Sequence, residues 1–323
     1  MPQCPMNSAD RGTSRTRLPS RGANNSFACK VNVAKFPAMP VREAMRQQID
    51  RRSSSLPTGG PFHVMIRNSA LIRQLSYREI FGRYKGSYFG ILWSVANPLV
   101  MLGVYTLVFG GIFQGRFGVG KSQSPIDFPL GLFCGLNMYS FFSEVLQRSP
   151  ALILDHPNYV KKVVFPLEVL PVVTVFAGLF HLAIASVLLV AGIGIAHHTV
   201  GFSVLYLIPL FIPLILATLG ISWMLSAIGV FIRDLQSAVP PALTILMFLS
   251  SIFYSISAVP PAVRPIINAN PMAQLIECTR DAVVWGVTPN WWITLGLYAL
   301  SLFLFFFGNW VFRVSKTAFA DAL

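Results

Sequence analysis

The sequence predicts an all-α integral membrane protein with six transmembrane helices. Hydrophobic residues make up 54% of the 323 residues and charged residues only 11%, whereas a soluble domain carries about 25% charged residues. Long runs without Asp, Glu, Lys or Arg alternate with short polar segments. Because these runs are continuously apolar rather than alternating, they favour helices over a β-barrel. The composition excludes a soluble enzyme, a disordered protein and a disulfide scaffold.

The positions of the spans follow from the lengths of the uncharged runs, since a bilayer core requires about 20 apolar residues per helix. The uncharged run 169–232 is long enough for two spans, which the polar segment 196–201 divides. The second predicted span is the weakest, because Glu144 and Arg148 lie at its end. The predicted spans cover about residues 91–113, 128–148, 168–196, 203–232, 238–258 and 291–312.

The basic residues predict the orientation, because cytoplasmic segments of membrane proteins carry an excess of Lys and Arg. With six spans, one side of the membrane receives 21 Lys and Arg residues and the other side receives 4. Both termini are therefore predicted to be cytoplasmic. The net charge of +13 is then explained by anionic lipid at the membrane surface rather than by nucleic acid.

Residues 1–60 differ from the rest of the chain, since they are basic and rich in Ser, Arg, Pro and Asn. This composition predicts disorder, and no apolar run is long enough for a signal peptide. Met45 and Met65 are possible starts, so an upstream extension of the reading frame is the alternative. The four cysteines form no C-x-x-C pair and indicate neither a metal site nor a disulfide.

One string, Gly115–Ser122, matches the nucleotide-binding pattern G-x-x-x-x-G-K-[ST]. That pattern binds phosphate where it joins a strand to a helix, because backbone N–H groups and the helix dipole then face the anion. Here a predicted span precedes the string, and the predicted orientation places Lys121 outside the cell. We therefore expect a flexible loop, and no catalytic, cofactor or metal site in this chain.

Few ionisable residues lie within the predicted spans, where such residues mark functional sites. His181 stands among apolar residues, which favours a hydrogen-bonded packing role over a proton relay. Glu144 and Glu168 lie near span ends, where water or lipid headgroups can solvate them. This scarcity argues against a gradient-driven secondary carrier and against a membrane-embedded glycosyl- or acyltransferase, although both remain alternatives.

Residues 66–90 predict an amphipathic basic helix at the membrane interface that leads into the first span. Leu71, Ile72 and Leu75 point away from the aromatic face of this helix, which is defined below, so we expect a break in the helix or contacts with protein on two sides. An ordinary basic flank of the first span is the alternative. The aromatic face has the spacing i, i+3, i+4, i+7 and i+11 and consists of Tyr77, Ile80, Phe81, Tyr84 and Tyr88.

Five segments share their order and spacing with one family. They are residues 78–99 (REIFGRYKGSYFGILWSVANPL), 156–171 (HPNYVKKVVFPLEVLP), 231–235 (FIRDL), 270–281 (NPMAQLIECTRD) and 312–323 (FRVSKTAFADAL). Together they resemble the permease subunits of ABC-2 type polysaccharide exporters, the O-antigen, capsule and teichoic-acid group. The resemblance covers residues 66–323 and leaves the first 60 residues without a counterpart.

The resemblance implies a homodimer in the bacterial inner membrane, with six spans and both termini cytoplasmic. It implies two copies of a separate ATPase subunit that carries ATP and Mg, and short re-entrant helices between the fifth and sixth spans. The implied cargo is a polysaccharide on a lipid-pyrophosphate carrier. Export of a drug or a lipid is the alternative within the family.

The resemblance also implies two cytoplasmic contacts with the ATPase subunit. Pro157 and Asn158 are typical helix-start residues, so the first contact is expected to contain a short coupling helix. A plain loop held inside by its lysines is the alternative, and solvated surface is the alternative for the second contact. The contact residues are Asp155, His156, Pro157, Asn158, Tyr159, Lys161, Lys162, Arg233 and Asp234.

Aromatic side chains are candidates for a glycan channel, although packing and interfacial belts explain many aromatic residues. The candidates are Phe89, Trp93 and Asn97, spaced i, i+4 and i+8 on the first span, with Tyr105, Tyr139, Phe142 and Tyr254. In the predicted re-entrant region, three charged residues cannot face lipid unpaired. We expect Glu277, Arg280 and Asp281 to face the channel exit or one another.

Overall fold

The computed structural model describes residues 61–86, 88–112, 126–157, 165–198, 201–256 and 259–319. The predicted N-terminal extension and the string Gly115–Ser122 lie outside these residues. The described part contains ten α-helices and no strand, which confirms the predicted fold class. The helices are α1 (Pro61–Arg67), α2 (Ser69–Tyr84), α3 (Trp93–Tyr105), α4 (Asp127–Arg148), α5 (Val169–His197), α6 (Leu207–Phe231), α7 (Leu235–Leu249), α8 (Arg264–Asn268), α9 (Pro271–Val284) and α10 (Trp291–Lys316).

Four helical stretches in the described part are long and apolar enough to cross a membrane. They agree with the first, third, fourth and sixth predicted spans. The stretch that contains α3 is called the first span below; it begins with a short 3₁₀ turn and continues beyond α3 as a π-helical segment. The four stretches are Gly90–Val108, Val169–His197, Phe202–Phe231 and Trp291–Lys316.

The other two predicted spans have a less simple outcome. Helix α4 covers the second one, but it carries Asp127, Glu144 and Arg148 and is not among the four apolar stretches. The fifth prediction is wrong in its second half, because α7 has only 15 residues and ends at Leu249. Ser251 follows with a φ of 49°, which a helix does not adopt. The count of six spans therefore stays a prediction.

The tightest packing in the described part joins α6 to α10. Two glycines face each other there: a Cβ on Gly308 would lie 2.0 Å from the carbonyl oxygen of Gly220. Small residues of this kind let membrane helices approach closely. The rings of Trp223 and Phe305 pack nearby with centroids 5.3 Å apart, and both are fully buried.

Polar side-chain contacts join neighbouring helices at both ends of the packed helices. At one end, Lys316 of α10 lies 2.9 Å from Glu168, which precedes α5. At the other end, His197 of α5 lies 3.2 Å from Asp127, the first residue of α4. Glu168 is 4% exposed, so the expectation that solvent surrounds this carboxylate is wrong.

Candidate functional site

Helix α2, the predicted interface helix, is fastened to α4 and α5 by charged and polar side chains. Arg83 of α2 pairs with Glu144 of α4. The Tyr84 hydroxyl lies 2.9 Å from Nε2 of His181 on α5, whose Nδ1 lies 3.2 Å from Glu144 Oε2. An ionised carboxylate only accepts hydrogen bonds, so Nδ1 of His181 donates to Glu144. The polar network is defined as Glu79, Arg83, Tyr84, Glu144, Arg148 and His181.

Glu79 extends the network to a second arginine. Its Oε1 lies 3.1 Å from Arg148 Nη1 and 3.8 Å from Arg83 Nη2. Burial raises the pKa of the Tyr84 hydroxyl above its ordinary value, since a phenolate would lose its hydration there. Tyr84 therefore stays protonated at neutral pH and can donate to His181. The network holds α2 in a fixed position against α4 and α5.

A cleft of about 770 Å³, here called the α2–α4 cleft, lies beside the polar network. Leu75, Leu170 and Val173 supply its apolar surface, and the turn after α4 closes one side. Acidic and basic side chains both line the cleft. It is therefore better suited to bind a charged protein surface than an apolar ligand. The charged and titratable lining residues are Arg78, Glu79, Arg83, Arg148, Asp155 and His156.

The first predicted ATPase contact begins in this turn. Asp155 and Pro157 are exposed, and Nδ1 of His156 lies 3.0 Å from the carbonyl oxygen of Leu152. The turn therefore exposes the Asp155 carboxylate and nearby backbone at the surface beside the α2–α4 cleft. The remaining residues of this contact lie outside the described residues, so the coupling helix stays a prediction. They are Asn158, Tyr159, Lys161 and Lys162.

The second predicted contact, Arg233 and Asp234, is exposed between α6 and α7. Four residues before it, Gly229 touches the turn that leads to the first contact. A Cβ on Gly229 would lie 2.2 Å from the carbonyl oxygen of Pro150. Each predicted contact therefore comes shortly after the end of a helix in the chain, and these two helix ends touch each other.

The first span presents three of the predicted channel residues at the surface. Phe89 and Trp93 are exposed, with ring centroids 5.7 Å apart, and Asn97 is exposed one turn later. Tyr139 and Phe142 are different, since only 4% and 7% of them are exposed. These two rings pack the interior of the protomer, which does not fit a role in lining a channel.

A second cavity, here called the inner cavity, lies between α3, α4 and α5 and measures about 220 Å³. Asn97 and Tyr105 line it from the first span, and Glu144 and His181 line it from the other two helices. The polar network therefore forms one wall of this cavity. The last predicted channel residue, Tyr254, is half-buried after α7 and donates to the carbonyl oxygen of Phe248 at 2.7 Å.

The predicted re-entrant region contains α8 and α9, with its charges directed inward. Arg280 is 1% exposed and donates to the carbonyl oxygen of Ser251 at 3.1 Å. Its Nη2 lies 3.9 Å from Glu277, and its guanidinium lies 5.9 Å from the centre of the Trp285 ring. Asp281 is half-buried. Arg280 and Glu277 thus face one another, which is one of the two arrangements expected for this group.

Sequence reasoning missed the polar network. It placed Glu144 among solvated span ends, whereas the structure pairs this carboxylate with Arg83, which lies 61 residues earlier in the chain. One local signal was available: Glu79 and Arg83 are spaced i, i+4 on a basic helix. His181 is the hydrogen-bonded packing residue that the sequence favoured.

Comparison with known proteins identifies the family. The family model for the ABC-2 type transporter matches residues 70–284, which is more than half of the chain. This protein belongs to the ABC-2 type transporter family. The match extends from α2 through α9 and includes the polar network and both cavities.

Three similar proteins are permeases or transport proteins for polysaccharides. The O-antigen export system permease protein RfbA of Myxococcus xanthus is 29% identical over 261 residues, which cover 78% of this chain and 95% of that protein. A protein of the same name from Klebsiella pneumoniae is 28% identical over 254 residues, with 78% and 95% covered. The polysialic acid transport protein KpsM of Escherichia coli is 24% identical over 251 residues, with 76% and 94% covered.

Proposed function

We propose that this chain is the transmembrane subunit of an ATP-driven exporter that moves a lipid-linked polysaccharide across the bacterial inner membrane. The observation that carries the proposal is the similarity to O-antigen export permeases along 95% of their length. The fold agrees with it, because four helical stretches in the described part are long and apolar enough to cross a membrane.

The energy for transport comes from two copies of a separate ATPase subunit, which bind ATP and Mg. The exposed turns at Asp155–Pro157 and Arg233–Asp234 support a docking surface for that subunit, since both follow from helix ends that touch at Gly229. Movement of the docked subunit would reach α4 directly through the turn after it. The polar network would pass the movement to α2 and α5.

A homodimer with both termini in the cytoplasm gives the glycan a path between two protomers. The first span supports this arrangement, because its aromatic and amide side chains at Phe89, Trp93 and Asn97 remain exposed in a single protomer. Aromatic faces with scattered hydrogen-bond donors suit a sugar polymer that must slide. Tyr139 and Phe142 have no part in this path.

The test is deletion of the gene in its source bacterium, followed by complementation with the full chain. We expect deletion to remove polysaccharide from the cell surface and to leave lipid-linked polysaccharide inside, as measured by surface staining and by lipid extraction. Complementation should require the ATPase subunit with its own Walker lysine intact. Normal surface polysaccharide in the deletion strain would contradict the proposal.

The same strain separates the alternatives. Increased drug sensitivity with normal surface polysaccharide would indicate drug export. Complementation that persists without the ATPase subunit, but fails when the proton gradient is dissipated, would indicate a secondary carrier.

A further inference from the structure

The inner cavity contains polar groups that have no partner within the described part of the chain. Oδ1 of Asn137 accepts no hydrogen bond there, and Nδ2 makes only a long contact of 3.4 Å with Ser186. The side chains of Asn97 and Ser140 make no hydrogen bond to a described residue either. The polar residues that line the cavity are Asn97, Tyr105, Asn137, Ser140, Glu144 and His181.

In the predicted topology, the side chains without a full set of partners, those of Asn97, Asn137 and Ser140, lie at membrane depth. Asn137 is at the middle of the predicted span 128–148, and Asn97 is within the first span. Polar groups without partners are unfavourable in hydrocarbon, because no solvent there replaces their hydrogen bonds. An acyl chain in the cavity would leave them unsatisfied, so the structure favours water or a ligand rich in hydroxyl groups.

The lining chemistry matches a sugar ring. A side-chain amide offers both a donor and an acceptor, as a pair of neighbouring hydroxyl groups requires. Glu144 is held in place by Arg83 and His181 and retains lone pairs that can accept from a hydroxyl. Phe133 and Phe141 form part of the apolar wall of the cavity, but they are only 4% and 2% exposed, so the polar side chains carry the match to a sugar.

Size and position agree with this ligand. The cavity of about 220 Å³ would hold about seven water molecules at about 30 Å³ each, which is close to the space that one sugar ring fills. Asn97 and Ser140 are exposed, so the cavity opens at the surface rather than being enclosed. Its mouth adjoins the face of the first span that carries Phe89 and Trp93.

We propose that the inner cavity is a sugar subsite, which holds one sugar residue of the polysaccharide while the polymer passes the first span. This inference rests on the proposed function. Because Glu144 belongs to both the subsite and the polar network, a sugar in the cavity contacts the same carboxylate that fastens the interface helix.

Photo-crosslinking in living cells tests the subsite. Ser140 is replaced by p-benzoylphenylalanine in the full chain, expressed with its ATPase subunit in cells whose polysaccharide carries a radiolabelled sugar. We expect a crosslink between the chain and labelled polysaccharide. Ser143, on the same helix but outside the cavity lining, is the matched control and should give at least about fivefold less crosslinking.

Substitution provides a second measurement. Asn137→Leu fills part of the cavity and removes a hydrogen-bonding side chain, so the export rate should fall about five- to tenfold. Ser143→Ala should export within about twofold of wild type. The amount of protein in the membrane and its copurification with the ATPase subunit should be unchanged in both variants. Asn137→Ser retains a polar group and should recover part of the lost rate.

Failure of the subsite differs from failure of the proposed function. Equal crosslinking at positions 140 and 143, together with normal export by Asn137→Leu, would mean that the cavity holds only water. That result would contradict the proposed sugar subsite. A crosslink to phospholipid instead of polysaccharide would overturn it as well. Normal surface polysaccharide after gene deletion would instead contradict the proposed function.

Discussion

The first span and the helix Val169–His197 are both apolar enough to cross a membrane, yet their surroundings differ sharply. Mean hydropathy reaches 1.7 in the first span and 2.4 in the longer helix. In the most apolar stretch of each, however, only 6% of the first span is buried within the chain, against 56% of the longer helix. A helix covered by its own chain contributes stability, whereas an uncovered one must meet lipid, a second copy or cargo. The difference assigns stability to the packed helices α5, α6 and α10, and contact with other molecules to the first span.

The contact between Gly220 and Gly308 should be the position most sensitive to substitution, because it lies where α6 and α10 approach each other closely. Gly308→Ala places a methyl group 2.0 Å from the Gly220 carbonyl oxygen, and backbone atoms cannot move aside as a flexible side chain does. We expect a loss of more than about 3 kcal/mol of folding stability. Gly103→Ala in the first span meets nothing within 4 Å and should change stability by less than about 0.5 kcal/mol.

Thermal unfolding of the purified protein, followed by size-exclusion chromatography with fluorescence detection, measures both glycine variants. Comparable stability of the two variants would mean that the α6–α10 contact is not the packing centre. A severe loss in Gly103→Ala would show that a second protomer already covers the first span, and the assignment of that surface to cargo would be wrong.

Two tryptophans form the next matched pair. Trp223 is 1% exposed, and its Nε1 donates to the Glu168 carbonyl oxygen at 3.1 Å, so Trp223→Ala should cost about 3–5 kcal/mol of stability. Trp93 is 42% exposed, and Trp93→Ala should change stability by less than about 1 kcal/mol. Export by Trp93→Ala should fall about threefold, since one aromatic contact with the cargo is lost.

Measured export and unfolding separate the two roles of these tryptophans. Trp93→Phe should restore most of the export rate because it retains an aromatic face. If Trp93→Ala unfolds as readily as Trp223→Ala, the first span is part of the packed core. Unchanged export with unchanged stability would remove Trp93 from the proposed glycan path.

The same contrast explains what the sequence could predict. Helices α5, α6 and α10 lie close to their predicted bounds because a continuous apolar run ends at polar residues. Helix α7 was predicted too long, since residues 250–256 contain no charge that marks the change of direction at Ser251. The polar network could not be predicted, because Arg83 and Glu144 meet only after helices distant in sequence have packed.

An ion pair at the end of the packed helices gives a smaller effect. Lys316→Ala leaves Glu168, whose side chain is 5% exposed, without its cation. The expected loss is about 2 kcal/mol, less than the 3–5 kcal/mol typical of fully buried pairs, because Lys316 itself remains partly hydrated. Lys85→Ala, an exposed position before the first span, is the matched control and should be neutral in the same unfolding measurement.

Lys316→Arg is the conservative control, since it retains the positive charge and should recover most of the lost stability. Equal stability of Lys316→Ala and Lys85→Ala would mean that Glu168 finds another partner when Lys316 is removed. The packed end would then depend on apolar contacts such as that between Phe312 and Phe319, whose ring centroids lie 5.5 Å apart.

Lys121, which follows the first span in the sequence, should tolerate substitution. Lys121 is the lysine of the string that matches a nucleotide-binding pattern, and in a true site of this kind it would contact phosphate directly. The predicted orientation places it on the side of the membrane away from the cytoplasm, where ATP is absent. The helix that precedes it is an apolar span and not a strand of a nucleotide-binding fold. Lys121→Ala should therefore leave ATP hydrolysis by the assembled complex and polysaccharide export within about 20% of wild type, since exposed substitutions are close to neutral.

The purified chain without its ATPase subunit should show no hydrolysis with either residue. Loss of hydrolysis in the Lys121→Ala complex would contradict both the orientation and the assignment of ATP to a separate subunit, whereas loss of export alone would place Lys121 near the outer end of the glycan path.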